Sequence, residues 1–336
     1  MSNLRIRKPV ITNDLISHDV IDVHHEVKIT PSNFNRDTRT ITRNIFNSNS
    51  ESIKSCDFSR GVRNNQHGSA FKHIDPDKVG VPKTGYKKYS KVLYLGWLWP
   101  HFGHFLMEST SRCWAMSDIQ DDFDALYFDI YRLPDSYLKK GYVSSILNSL
   151  GIDENKVVVG NVHISAEELV VPSQSIVLHN SVSMLAQSKT WNSLRDLSSD
   201  SDYNVVNDKV YLSRSKLINN KRSLSNELEL ESRLQSLGFR ILHTEEYSIT
   251  EVATVLRDCS IMIGLSGSAI HNSLFMNPAG KVISIISSDF ELKNELLGCI
   301  PAKLDYYTYL SVGDSKRATE WNIDVNDFLY ELETIL

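Results

Sequence analysis

Short apolar runs alternate with helical periodicity over much of this chain, and the alternation is clearest between residues 209 and 286. Lys209-Val210-Tyr211-Leu212-Ser213 and Phe239-Arg240-Ile241-Leu242 read as strands. So do Ser260-Ile261-Met262-Ile263-Gly264 and Val282-Ile283-Ser284-Ile285-Ile286. Continuous apolar runs of this length are what a buried parallel strand produces. The first helix between them is predicted to start at Asn226, with Glu229 completing a capping box, and to stop at Gly238. The second starts at Ser248 with Glu251 three residues on, ahead of Ile249, Val252, Val255 and Leu256 at helical spacing. A third follows Gly267 and is stopped by Asn277-Pro278-Ala279-Gly280. A fainter copy of the pattern runs earlier. Strands are expected at 91–96, 125–128 and 156–160, and helices at 104–117 and 136–149, the latter closed by Gly151.

This order predicts an α/β protein with two Rossmann-like domains. The first covers residues 1–200: an irregular, β-rich stretch over 1–85, then a Rossmann-like part over 91–195. The polar Ser/Asp-rich segment 196–207 reads as a linker. The second domain covers 205–320. Residues 321–336 form a terminal amphipathic helix, capped by Asp324, with Val325, Phe328, Leu329, Leu332, Ile335 and Leu336 on one face. A chain of 336 residues is long enough for two such cores.

Composition narrows the partners. A net charge of −5 argues against nucleic acid. No apolar run approaches the roughly 20 residues of a membrane helix. The basic start Met1–Lys8 has no apolar stretch behind it, so no secretory signal is expected. Cys56, Cys113, Cys259 and Cys299 lie far apart and read as reduced thiols of a cytoplasmic protein.

Ligands of open α/β sheets bind outside the carboxyl ends of the strands. Two candidate stretches lie at such ends. Gly264-Leu265-Ser266-Gly267-Ser268 is a glycine turn feeding a helix start, where backbone N–H groups face outward and suit a phosphate. Asn272 follows on that helix. Ser213-Arg214 leads into a basic loop ending at Arg222, and its arginines offer forked donors to a diphosphate. In the first half His104, Glu108 and Arg112 recur every four residues, so one helix face would carry all three. Glu108, desolvated among apolar neighbours, is the expected general base, with His104 as runner-up and Arg112 as its anchor. Trp97, Trp99 and His101, which precede this helix, and Arg112 on it are candidate acceptor contacts.

The order Val210-Tyr211-Leu212-Ser213-Arg214, Arg222, Asn226-Glu227, Leu237-Gly238-Phe239, Ser248 with Glu251, Gly264, Gly267-Ser268-Ala269, Asn272, Phe275 and Pro278 resembles glycosyltransferase family 61, the capsular-polysaccharide or DUF563-type proteins. Gly103-His104-Phe105-Leu106-Met107-Glu108 looks like the family's His-aromatic-apolar-apolar-acid segment. Ser266 stands where the family commonly has histidine, and Val252 where glutamine follows the acid. The resemblance implies a GT-B-type fold, an inverting transfer from a nucleotide sugar and no essential metal or resident cofactor. It adds Glu251 and Ser266 to the donor site. The implied partners are a nucleotide-sugar donor and a glycan or lipid-linked glycan acceptor of capsular or other surface polysaccharide. Peripheral attachment at the inner face of the membrane is left open.

Rival readings remain. A two-lobed nucleotide-sugar epimerase or sugar-phosphate transferase, or a non-catalytic nucleotide-sugar-binding partner, fits the same pattern. Three D-x-D patterns, Asp75–Asp77, Asp122–Asp124 and Asp200–Asp202, imitate metal-binding motifs, but none follows a nucleotide-binding strand. Gly264–Ser268 nearly imitates an esterase nucleophile turn, yet its fifth residue is serine and the only later histidine, His271, lies in the same turn.

Overall fold

The computed structural model describes the chain except residues 1–5, 8–14, 17–18, 62–70, 77–83, 120–121, 131–134, 198–207, 218–222, 288–292 and 312–319. Its contacts divide it into two compact units, Asn13–Ser193 and Leu194–Leu336, the second joined by Met1–Thr12.

The first unit is built on a six-stranded sheet. Its strands are β1 (Ile21–Ile29), β2 (Ile45–Phe46), β3 (Lys87–Leu98), β4 (Ala125–Ile130), β5 (Val157–Val159) and β6 (Ile164–Pro172), in the order β5-β4-β3-β6-β1-β2. β5, β4, β3 and β6 run parallel, β1 adds on antiparallel to β6, and β2 antiparallel to β1. The polar first 85 residues therefore contribute the antiparallel edge of this sheet. Chain order reverses between β3 and β6, which makes the carboxyl end of β3 a topological switch point. β3 reaches past the expected stop at Gly96. That glycine sits at φ 90° beside a register shift between Tyr94 and Trp97. A Cβ there would lie 3.3 Å from Cδ of Arg112, so glycine gives that side chain its path.

The second unit carries β7 (Lys209–Leu212), β8 (Arg240–Leu242), β9 (Ile261–Leu265), β10 (Lys281–Ser287) and β11 (Asp305–Ser311), all parallel in the order β8-β7-β9-β10-β11. The strand Ile6–Arg7 closes the sheet antiparallel to β11. Taken in sequence this is the 2-1-3-4-5 doubly-wound order, whose switch point falls between β7 and β9. One sheet face, including Tyr211, Ile263, Ile285 and Tyr309, packs on Leu230 and Leu234 and on Phe328, Leu329 and Leu332. These come from helices Glu227–Ser236 and Val325–Glu333.

Several caps form as the sequence predicts. Ser248 and Glu251 make a full capping box on helix Ile249–Leu256. Asp324 accepts from the Asp327 N–H at 3.0 Å. Gly238, at φ 84°, lies just past helix Glu227–Ser236. The Asn226 cap does not form. Its amide instead brackets Ile323, donating to the carbonyl at 2.9 Å and accepting from the N–H at 3.3 Å, which ties this helix to the segment before the last one.

The expected helix 104–117 is also corrected. Phe102–His104 is one α turn, Phe105–Ser109 a π turn, and Cys113–Ser117 a separate 3₁₀ turn. The run Ser109-Thr110-Ser111 explains the break. The Thr110 hydroxyl donates to the Leu106 carbonyl at 2.6 Å and the Ser111 hydroxyl to the Glu108 carbonyl at 2.7 Å. Hydroxyls that satisfy carbonyls locally compete with the helix ladder.

Candidate functional site

The π turn begins seven residues beyond β3, after the α turn Phe102–His104, at the switch point of the first sheet. It places Glu108 almost fully buried, at 1% exposure. The carboxylate meets three donors. Arg60 grips it as a fork, Nε to Oε1 at 2.6 Å and Nη2 to Oε2 at 2.5 Å. His104 Nδ1 lies 2.7 Å from Oε2. Burial pushes the Glu108 carboxyl up, but the charge of Arg60 and the bonds and charge of His104 outweigh it, leaving the group below its ordinary range. An ionised carboxylate can only accept, so His104 carries its proton on Nδ1 and keeps Nε2 as the basic nitrogen. The His104 side chain remains 41% exposed. Of the two opposing effects on Glu108, burial and an ion pair, the ion pair wins, and the exposed member of the His104–Glu108 pair is the histidine.

Arg112 does not anchor Glu108. The break at 109–111 turns it away, and its guanidinium donates to the carbonyls of Pro172, Ser55 and Asp57 while lying 5.1 Å from the Tyr94 ring centroid. It stitches the end of β6 to the 55–57 loop. Arg60, which sequence reasoning missed, takes the anchoring place. It stacks against Phe71, Trp99 and Phe58, with ring centroids 4.8, 5.1 and 5.7 Å from its central carbon. Trp97 and Trp99 belong to this same cluster with Phe34, Phe58, Phe71 and Ile41, and both are buried. The two indoles stack on one another, and the Trp99 face meets the arginine. His101 is exposed, and its ring lies 5.5 Å from that of His104.

The second candidate set gathers at the other switch point. Leu212 pairs with Gly264, so Ser213-Arg214 and Leu265-Ser266-Gly267 leave neighbouring strands side by side. Gly264 has a packing reason: a Cβ would come within 3.0 Å of Ile270 Cδ1 and 3.3 Å of Leu212 Cβ. Gly267 sits at φ 148°, ψ −164°, a region essentially limited to glycine. A 3₁₀ helix, Ser268–Phe275, follows in place of an α-helix.

The Gly267 N–H does not face outward. It donates at 2.8 Å to Oε1 of Glu295, which also accepts from the Ser266 hydroxyl at 2.6 Å. The other oxygen of Glu295 accepts from Ser284 at 2.6 Å and Tyr306 at 2.8 Å. Burial raises the Glu295 carboxyl, and its four neutral donors only partly oppose this. Ser266 is therefore held inward and buried, unlike an exposed esterase nucleophile. Glu295 gave no sequence signal, since nothing in its neighbourhood marks it as the turn's support.

Beneath the other loop, Glu227 accepts from the Arg214 N–H at 2.8 Å and the Tyr211 hydroxyl at 2.9 Å. Glu231 accepts from the Ser213 hydroxyl at 2.5 Å. Ser213 is thus buried on acid partners, while the half-buried Arg214 guanidinium is drawn below its ordinary range by burial. Ser268 is half-buried. Asn272 donates to the Ala269 carbonyl at 2.9 Å, and its buried Oδ1 has no partner among the described residues. The Glu251 carboxylate is bound within its capping box and accepts from the N–H and hydroxyl of Ser248. Arg222 lies outside the described residues.

Of the D-x-D acids, Asp75 pairs with Arg43 and Asp122 with Lys156, and Asp124 accepts from the N–H groups of Ser90 and Lys91. Asp77, Asp200 and Asp202 lie outside the described residues. All four cysteines are free and buried. Among the described residues no helix is long and apolar enough to cross a membrane.

Two largely parallel sheets, one switch point carrying an imidazole–carboxylate pair and the other a glycine turn beside an arginine, define an α/β protein. Residues 102–283, more than half of the chain, match the family model Glycosyltransferase 61, and the chain belongs to that family of glycosyltransferases. The matched span includes the His104–Glu108 turn and the Gly267 turn but not Arg60 or Glu295. No curated protein matches the chain.

Proposed function

We propose that this protein is an inverting glycosyltransferase that moves a sugar from a nucleoside-diphosphate donor to a glycan hydroxyl, with His104 as its base. The acceptor oxygen attacks the anomeric carbon while Nε2 of His104 takes its proton. The bond from the anomeric carbon to the diphosphate oxygen breaks, and the electron pair leaves with the nucleoside diphosphate. Glu108 holds the imidazole by Nδ1 and balances the imidazolium that forms, the role a buried carboxylate has beside a histidine base. The observation that carries this reading is the 2.7 Å contact from His104 Nδ1 to a Glu108 carboxylate held below its ordinary range. A carboxylate so held is a poor base, whereas the imidazole beside it is exposed.

The donor belongs, in this reading, to the Leu194–Leu336 unit, with the acceptor side on Asn13–Ser193, the division of labour of a GT-B-type enzyme. Arg214, Ser268 and Asn272 meet the diphosphate sugar, while Ser213, Ser266 and Gly267 shape the turn beneath it. Resemblance to capsular-polysaccharide enzymes supports a surface glycan or lipid-linked glycan as acceptor. Arg214, rather than a resident divalent cation, balances the leaving group. Turnover in EDTA is the expected outcome; complete loss restored by manganese or magnesium would overturn that part.

The test begins with thermal-shift screening against UDP, GDP, CDP and CMP sugars, followed by turnover with the donor that binds. His104→Ala should lose ~10²–10⁴-fold, the usual share of general-base catalysis, with donor binding kept. Added imidazole should restore part of the activity of His104→Gly. Near-normal turnover of His104→Ala would sink the assignment.

A further inference from the structure

We propose that Arg60 is a positioning residue for this chemistry: clamped in an aromatic box, its guanidinium fixes the Glu108 carboxylate against His104. The inference rests on the reading of His104 as the base. The geometry is specific. Both carboxylate oxygens receive a guanidinium N–H, at 2.6 and 2.5 Å, in the fork arrangement that sets the carboxylate plane as well as its position. Oε2 is shared between Arg60 and His104, so the fork also sets where the imidazole points.

Arg60 itself has little freedom. Its side chain is 17% exposed, and rings of Phe58, Phe71 and Trp99 surround the guanidinium. The Gly61 N–H donates to the Leu178 carbonyl at 2.8 Å, and the Ser59 N–H to Gln174 Oε1 at 2.5 Å, so the backbone on either side is pinned. Box, clamp and carboxylate form one chain of contacts ending at Nδ1 of His104.

The charges facing Glu108 are Arg60, from the loop, and His104, from its own turn. Without Arg60 burial would be opposed by His104 alone, and Glu108 would take up a proton at a higher pH. A protonated Glu108 no longer offers an anionic acceptor to Nδ1–H, and His104 loses both its tautomer control and its counter-charge.

The test follows the downfield Nδ1–H proton resonance of the His104–Glu108 contact by NMR, identified by its loss in His104→Ala. It needs no donor or acceptor. In Arg60→Met the resonance should shift and should disappear, on acidification, at a higher pH than in the wild type. Arg60→Lys keeps the charge but not the fork. It should shift and broaden the resonance while retaining more of the wild-type pH range. With a turning-over donor, Arg60→Met should lower kcat by about 10²-fold, the cost of a small misplacement of a catalytic group, with donor KM unchanged. A resonance and pH dependence unaltered in both variants would overturn the proposal. Should Arg60→Met not fold, judged by near-UV dichroism, an unaltered resonance in Arg60→Lys alone suffices to overturn it. A resonance that follows Arg60 while His104→Ala keeps its turnover would retain the clamp and remove only the base assignment.

Discussion

Glu108 is buried against the Arg60 guanidinium and the His104 imidazole, and that fixes the sign of its contribution to stability. A carboxyl held below its ordinary range binds fewer protons folded than unfolded. Its stabilisation is present above the ordinary carboxylate range and is lost as pH falls through the lowered folded value. Urea unfolding of the wild type should therefore weaken more steeply in acid than that of Glu108→Gln. At neutral pH, Glu108→Ala leaves the Arg60 guanidinium without its partner and should cost ~3–5 kcal/mol, the usual result of halving a buried pair. A loss below ~1 kcal/mol would mark the contact as solvent-screened.

The sequence made part of this group legible. His104 and Glu108 lie four residues apart among apolar neighbours, and a π turn keeps residues of that spacing together much as an α turn does. Arg112 misled because the same spacing rule was carried past Ser109-Thr110-Ser111, whose hydroxyls end the helix. Arg60 was illegible. It sits in a segment without periodicity, 48 positions from its partner, and only the folded chain shows the rings that hold it.

Among the elements, the β9 turn depends most on a residue outside it. Glu295, from helix Lys293–Cys299, satisfies the Gly267 N–H and three hydroxyls from β10, β11 and the turn itself. Glu295→Ala should leave several of these donors buried without partners, at about 1–3 kcal/mol each. Heat denaturation should register that loss, and calorimetry with the bound nucleotide should show weaker affinity. Stability and affinity both unchanged would mean that water replaces the carboxylate and that the turn holds its own shape. Gly267→Ala should act on the same turn differently, through about 1–3 kcal/mol of backbone strain. The strand–glycine–helix pattern here was visible in the sequence because apolar runs and glycines are local signals. Which way the Gly267 N–H points was not, since that is decided by a carboxylate 28 residues away.

At the scale of the molecule, the alternation of strands and helices was legible, whereas strand order was not. Order depends on which edges meet, and the 2-1-3-4-5 sequence of the second sheet places Ser213-Arg214 beside the Gly267 turn without any mark in the intervening residues. The polar start of the chain was also opaque: Ile6–Arg7 pairs with Tyr309 and Thr308 of the last long strand. The terminal helix, in contrast, was read from its one apolar face, and its burial allows a strong prediction. Val325, Phe328, Leu329 and Leu332 are all buried in the core that covers β7, β9, β10 and β11. At about 1.5–3 kcal/mol for each large apolar side chain, their removal forfeits about 6–12 kcal/mol. That is the size of a whole domain's stability, about 5–15 kcal/mol. Deleting residues 325–336 should therefore unfold the Leu194–Leu336 unit rather than trim it. Hydrogen exchange on the truncated chain should find the amides of β7 and β9 unprotected. Retained protection there would show that the sheet keeps a sufficient core from helix Glu227–Ser236 alone, and that the last helix is an addition to the fold rather than a part of it.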